Sequence, residues 1–373
     1  MKKTVKLLVL FAACCGLGGS VAAASEAREI GFDLHSTVYD YGESIDKVVI
    51  DTTGLEIDEG SLTADMFHVQ ATGTASSTLD FTANLQTKKG CNMTLDITYA
   101  ITMAKPLKLK SGEEITSAVF KQGNIVNGEI AKFNPGQACG LKYQLYTPAN
   151  AEDGSLHPLI VWFHGGGESG YKGIVYNNSA QLKANRGALG LAGDEAQNIF
   201  GRAYVPAPQT PNEWSDSLEE ARALIDEIVK SHHVNPDRIY VYGCSAGGYM
   251  TLDMAVHNPG LFAAAVAVCP AIDQANIDTY GEGRVITDEE ILSIKDTPVW
   301  VVQAKNDTTV RYEESALRVY NLLKDYNGIL TTYDNVNAGG VEYSGHEAWV
   351  YTALNMPEHN GEHVWQWTAR QVR

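Results

Sequence analysis

Tyr240-Val241-Tyr242-Gly243-Cys244-Ser245-Ala246-Gly247-Gly248 places a serine between glycines at minus two and plus two, directly after an apolar stretch of β character. This is the form of a nucleophile elbow, in which a strand turns sharply into a helix and lifts a serine clear of both. Such a turn is strained, and the helix must approach the strand closely. Residues without a side chain are needed on either side of the serine, and Gly243 and Gly247 supply them. In a chain with 35 glycines the string alone is weak, so its surroundings decide the reading.

Those surroundings alternate between strand and helix. Tyr143 to Tyr146, Leu159 to Phe163, Arg238 to Tyr242, Ala263 to Val268 and Val299 to Gln303 read as strands, separated by helix-like segments. That order argues for a mostly parallel sheet flanked by helices. The clearest helix runs from Ser217 to about Ser231, with Leu218, Ala221, Leu224, Ile225 and Ile228 on one face, and Ser217 with Glu220 reads as a capping box. Before Phe133-Asn134-Pro135-Gly136 the texture differs. Met93, Leu95, Ile97, Tyr99 and Ile101 alternate with polar residues, as does Phe67 to Ala71, and Ile45 to Asp51 is a further candidate strand. Turn clusters at Thr52-Thr53-Gly54 and Lys88-Lys89-Gly90 separate them, and a small all-β sandwich is expected.

Chemistry gathers around Ser245. Leu159 to Phe163 runs into His164-Gly165-Gly166-Gly167-Glu168-Ser169-Gly170, whose glycines leave backbone N–H groups open to a substrate. Gly165 and Gly166, with the N–H of Ala246, are the expected oxyanion-hole donors. The acid and the base should follow the serine in that order. Asp307 lies after the strand Val299 to Gln303 and leads over Asp273, Glu313 and Glu314. His346, after the strand Leu330 to Tyr333 and the glycine loop Ala338-Gly339-Gly340, suits the base better than His257, late in a helix, or His359 and His363 near the end.

The N-terminus carries Lys2, Lys3 and Lys6, an apolar run through Ala13, and Ala22-Ala23-Ala24. It reads as a signal peptide cleaved after Ala24, hence a secreted or periplasmic protein, with acylation of Cys14 as a lipoprotein anchor the alternative. Glycines at 16, 18 and 19 break the apolar run and argue against a membrane span. Removing residues 1–24 takes three lysines and no acid, moving the net charge from −17 to −20, so nucleic acid and anionic lipid are poor partners. Four cysteines follow, Cys91, Cys139, Cys244 and Cys269, and spacing does not say which of them pair; Cys244 and Cys269 sit in apolar runs as buried thiols would. No metal-type Cys or His spacing and no phosphate loop occurs, so no cofactor and no metal is expected.

From about Gly140 onward the chain resembles the α/β-hydrolase superfamily, in particular secreted esterases and peptidases of the polyhydroxybutyrate-depolymerase-like and prolyl-oligopeptidase-like group. The resemblance rests on residues 164–170, Ala207-Pro208-Gln209-Thr210-Pro211 with Trp214, the Ser245 elbow, Asp307, and His346 followed by Trp349. It implies an α/β-hydrolase fold over residues 134–373 and a Ser245, Asp307, His346 triad. Val48 to Gln70 is similar to the immunoglobulin-like domain that precedes the catalytic domain in one subgroup, which would make 25–133 an immunoglobulin-like β-sandwich. The implied activity is a carboxylesterase acting on small-molecule or polysaccharide-linked esters. Glu168, Tyr171, Trp214 and Trp349 are candidates to line the substrate pocket, with buried core the competing role for each aromatic. A serine peptidase is the runner-up, disfavoured because residues 25–133 show no propeller repeat, and an inactive hydrolase domain serving as a binding protein is the rival of another class. A homo-oligomer is compatible with all of these.

Overall fold

In the computed structural model the described residues are 28–74, 96–169, 176–273 and 285–373. The expected signal peptide, Cys14, Cys91, Tyr171 and the turn at Lys88 to Gly90 lie outside them. No helix among the described residues is long and apolar enough to cross a membrane.

The chain divides into two compact units. The first takes described residues 28–37, 43–74 and 96–128, and the second takes 38–42 and the described residues from Glu129 to Arg373. The boundary near Glu129 falls a few residues before the change of texture at Phe133.

Unit 1 is built from strands. They are β1 (Arg28–Tyr39), β2 (Gly42–Ile50), β3 (Phe67–Thr74), β4 (Asp96–Met103), β5 (Leu107–Lys108), β6 (Glu114–Ile115) and β7 (Ala118–Val126). One sheet has the order β2-β1-β7, while β3 with β4 and β5 with β6 form two-stranded pairs. Along β1 the residues Ile30, Phe32 and Leu34 are buried in alternation with exposed or half-buried ones, as a strand with one covered face requires. They meet Val48, Ile57, Met66, Phe67, Ile101, Leu107 and Ile115 in a core of their own. The β-rich reading of this region therefore stands, and its immunoglobulin-like topology stays an expectation.

Unit 2 opens with β8 (Phe133–Ala138), β9 (Leu141–Tyr146) and β10 (His157–Phe163); β11 (Val205–Gln209) joins β9 and β8 in an antiparallel sheet. Its centre is a five-stranded sheet in the order β10-β12-β13-β14-β15, with β12 (Val234–Cys244), β13 (Ala264–Val268), β14 (Val299–Ala304) and β15 (Gly328–Tyr333). Every pairing in it is parallel. Parallel strands are covered on both faces, and the sequence reflects this: β10, β13 and β14 are buried at every position. Leu159, Val161 and Phe163 enter one core, with Leu224, Ile225 and Ile228 of helix α1 (Leu218–Ser231) and Met250 of α2 (Ala246–His257). Ile160 and Trp162 enter the other, with Tyr240, Tyr242, Trp300 and Trp367.

One local expectation is corrected. α1 starts where the pattern places it, but Ser217 makes no capping hydrogen bond. Its Oγ lies 2.9 Å from Thr210 Oγ1 and 3.0 Å from Asn212 Oδ1, because a cluster of hydroxyl and amide groups in the preceding loop satisfies it instead. The glycine loop at Ala338 to Gly340 is the turn of a hairpin, β16 (Val336–Ala338) with β17 (Val341–Tyr343), and Gly339 and Gly340 at φ 59° and 79° give it the left-handed pair such a turn needs.

Candidate active site

In an open parallel sheet, functional groups collect beyond the carboxyl ends of the strands. Here β10 delivers His164 to Glu168, β12 delivers Ser245, β13 delivers Cys269 and β14 delivers Asp307 to one edge.

Ser245 sits at φ 55°, ψ −117°, a conformation that costs about 1–3 kcal/mol and persists only where packing enforces it. The enforcement is visible at the two glycines. A Cβ on Gly243 would come within 2.2 Å of the Gly247 carbonyl oxygen, and one on Gly247 within 2.0 Å of the Phe163 carbonyl oxygen. The Ser245 N–H donates to Val268 O at 2.9 Å, and Tyr249 N–H donates to Ser245 O at 2.9 Å, so the turn is pinned to β13 and to the first turn of α2. Ala246 is the first residue of α2, where a helix leaves its N–H groups without intrahelical partners.

Ser245 Oγ lies 2.9 Å from His346 Nε2, and His346 Nδ1 lies 2.8 Å from Asp307 Oδ2. Asp307 is held from all sides. Its Oδ1 accepts from the N–H groups of Thr309 and Val310 at 2.9 Å each, and Oδ2 accepts from Gln303 Nε2 at 3.1 Å as well as facing the imidazole. His346 reaches this carboxylate because its loop passes close by the loop of Asp307. A Cβ on Gly345 would lie 2.6 Å from the Asn306 carbonyl oxygen, so the passage requires a glycine. Of the acids weighed from the sequence, Asp307 is the one bonded to the histidine; Glu314 pairs with Arg311 at 3.0 Å on the surface.

Gly165 lies against the serine. The position its Cβ would take is 3.6 Å from Ser245 Cβ and 3.3 Å from Glu168 Oε2. Gly166 opens the short turn Gly166–Glu168. The loop is fixed by His164, a role the sequence does not reveal. Buried completely, His164 accepts from the Thr210 N–H at Nε2, 3.1 Å away, and its Nδ1 is 2.6 Å from Gly165 O. An Nε2 that accepts is unprotonated, so Nδ1 carries the proton and donates to Gly165 O. That bond orients the peptide plane whose N–H belongs to Gly166. Burial pushes the His164 pKa down to about 4, which keeps the ring neutral.

The pocket candidates fare unevenly. Trp214 does not line open surface: it is 1% exposed, donates from Nε1 to His164 O at 2.8 Å and packs edge-on against Phe163, so its large ring supports the glycine loop from beneath. Glu168 is likewise enclosed at 1% exposure, with Oε1 accepting from Asn185 Nδ2 at 2.7 Å and its backbone carbonyl accepting from Gln209 Nε2 at 2.8 Å. Burial drives its carboxyl pKa up to about 7. Trp349 is 7% exposed and presents its ring edge-on to His346, centroids 5.4 Å apart. Cys244 and Cys269 are buried free thiols and Cys139 is an exposed one.

Together the parallel sheet, the elbow and the loops at its carboxyl edge have the form of an α/β-hydrolase fold. Residues 211–291 match the prolyl oligopeptidase family. The crystal structure of a thermostable esterase superposes with a TM-score of 0.71 over 92% of this chain and 99% of that one, at 24% sequence identity. Among curated proteins, carboxylesterase 1C of Mus musculus is 27% identical over 214 residues, 55% of this chain and 37% of that protein. Acylcarnitine hydrolase of Mus musculus is 28% identical over 141 residues, 37% of this chain and 25% of that protein. The chain thus spans only 25% to 37% of the length of these curated relatives.

Proposed function

We propose that this chain is a serine hydrolase that cleaves carboxylic esters through an acyl-enzyme on Ser245. The observation that carries the reading is the unbroken run of contacts from Ser245 Oγ to His346 Nε2, and from His346 Nδ1 to Asp307, at 2.9 and 2.8 Å. In this reading His346 Nε2 takes the serine proton as Oγ attacks the carbonyl carbon, and returns it to the leaving alcohol. Asp307 holds the proton on Nδ1 and stabilises the imidazolium that forms. The N–H groups of Gly165, Gly166 and Ala246 receive the charge that develops on the carbonyl oxygen, each worth about 3 kcal/mol in the transition state. Water then repeats the sequence on the acyl-enzyme. The substrate is a small or polysaccharide-linked ester, and the leader-like residues 1–24 favour an exported protein.

A fluorophosphonate probe should label Ser245, and Ser245→Ala should lower kcat on p-nitrophenyl acetate by about five to six orders of magnitude without loss of fold. Turnover retained above a few per cent by that variant would sink the assignment. The match of residues 211–291 to the prolyl oligopeptidase family favours a second reading, a serine peptidase. Comparing kcat/KM on p-nitrophenyl esters of increasing chain length with that on aminoacyl and prolyl p-nitroanilides separates the two, and preference for the anilides would put the peptidase ahead of the esterase.

A further inference from the structure

β13 and β14 run parallel and adjacent, so the residues just beyond their ends stand side by side. This brings Cys269 next to Asp307. Cys269 Sγ, a carboxylate oxygen of Asp307 and a ring nitrogen of His346 all lie within 4.8 Å of one another, and the Cys269 thiol donates to the His346 backbone carbonyl at 3.2 Å. The three residues stand 38 and 39 positions apart in the chain, so no spacing in the sequence announces the cluster. Cys269 has no part in the acyl transfer described above.

We propose that this cluster is an inhibitory site for a thiophilic divalent cation such as zinc or cadmium, held by Cys269 Sγ, Asp307 Oδ2 and His346 Nδ1. The donor set of one sulfur, one imidazole nitrogen and one carboxylate oxygen is the set borderline-soft cations take, whereas magnesium and calcium take oxygen ligands. Charge favours it too. A thiolate and a carboxylate neutralise a divalent cation, so the loaded site is neutral in surroundings that disfavour net charge. Binding forms three metal–ligand bonds and leaves a fourth position to water. The Sγ proton is released to solvent, and the Nδ1 proton gives way to the metal while Nε2 takes one up, so one proton leaves for each cation bound. The consequence for Ser245 is direct. With Nδ1 metallated, Nε2 carries the hydrogen and faces Oγ as a donor, so the ring can no longer accept the serine proton. Inhibition arises from a tautomer locked the wrong way round.

The inference rests on the Ser245–His346–Asp307 reading for its effect on activity, and on the cluster alone for binding. Binding is therefore read on Ser245→Ala protein that also carries Cys14→Ser, Cys15→Ser, Cys91→Ser and Cys139→Ser, so that only the buried Cys244 remains beside Cys269, by the ultraviolet charge-transfer absorbance of cadmium thiolate. The expected result is a band that saturates at one cadmium per chain and is lost in the further variant Cys269→Ser. Activity is read on otherwise wild-type protein. Zinc should inhibit p-nitrophenyl acetate turnover, a chelator should restore it, and Cys269→Ser should raise the half-inhibitory zinc concentration by on the order of a hundredfold. Serine keeps a hydroxyl that can donate to the His346 carbonyl and removes only the soft ligand, so turnover without zinc should be preserved. Cys269→Ala serves the same end if serine destabilises the strand end. A cadmium band unchanged by either substitution, or zinc sensitivity equal to wild type, would overturn the proposal. A normal band in a protein whose Ser245 resists the fluorophosphonate probe would instead reject the hydrolase reading and leave the metal site standing.

Discussion

At Asp307 the carboxylate meets only donors: two backbone N–H groups at Oδ1, and at Oδ2 an amide and the imidazole Nδ1–H. Two fixed backbone N–H groups cannot shed their hydrogens whereas the imidazole can, so asparagine keeps its oxygen toward Thr309 and Val310 and turns its NH2 toward Nδ1, and the imidazole then prefers the tautomer with hydrogen on Nε2. Asp307→Asn should leave the fold intact and lower kcat by about four orders of magnitude, measured on p-nitrophenyl acetate. A loss of less than tenfold would show that another group orients His346. Glu168 makes a separate prediction about stability. Burial raises its folded-state pKa from an ordinary 4.5 to about 7, so between those values the folded protein holds a proton that the unfolded chain has released. Its stabilising contribution is complete below the unfolded value and is lost as pH rises toward about 7. His164 runs the other way: with its pKa pushed down from 6.5 to about 4, it favours the folded state above the unfolded value and loses that contribution as pH falls. Glu168→Gln removes the first titration and keeps the second. Relative to wild type, the variant should therefore gain on the order of 3 kcal/mol of unfolding free energy between about pH 4.5 and pH 8, read by thermal denaturation at each pH. A difference between the two proteins that stays constant with pH would mean that the carboxyl is charged throughout.

At the scale of elements, the elbow is where local sequence and tertiary packing agree. Gly243, Ser245 and Gly247 are legible because the strain is local and only glycine relieves it. The same holds for β10, β13 and β14, whose continuous apolar runs mirror burial on both faces. What is not legible depends on partners far along the chain. His164 looks like one residue of a glycine loop, and its task follows from Thr210, 46 positions on, and from Trp214 beyond it. Ser217 looks like a cap because the capping pattern is local, yet its hydroxyl is claimed by Thr210 and Asn212. The tightness of the elbow can be tested without touching the chemistry of Ser245. In Gly247→Ala the new Cβ would stand 2.0 Å from Phe163 O and 2.5 Å from His164 O, backbone atoms that cannot step aside without moving the strand that carries the glycine loop. We expect a loss of about 3 kcal/mol, measured by urea unfolding, accompanied by a fall in kcat. Gly128→Ala, where nothing lies within 4 Å and the backbone angle is ordinary, is the control and should change stability by less than about 0.5 kcal/mol. Equal effects at the two positions would refute the packing account.

At the scale of the whole molecule, the change of texture near Phe133 marks two bodies, and each described unit buries apolar side chains in a core of its own. That the second is an α/β body is readable from the alternation of strand and helix. The pairing of strands in the first is not, because short half-buried strands carry little information about their neighbours. Unit 1 has the smaller core, around Phe32, Leu34, Ile57, Met66 and Leu107, while unit 2 packs both faces of a five-stranded sheet. A small body buries a lower fraction of its surface and has less to set against chain entropy, so it should melt first. Unfolding of the whole chain is then not a single two-state step. All six tryptophans, at 162, 214, 300, 349, 365 and 367, belong to unit 2, so their fluorescence is blind to unit 1. Calorimetry should accordingly show heat absorbed below the temperature at which tryptophan emission shifts, with the fluorescence transition coinciding with the later peak. A single calorimetric transition superimposed on the fluorescence curve would instead mean that the two cores unfold as one cooperative body.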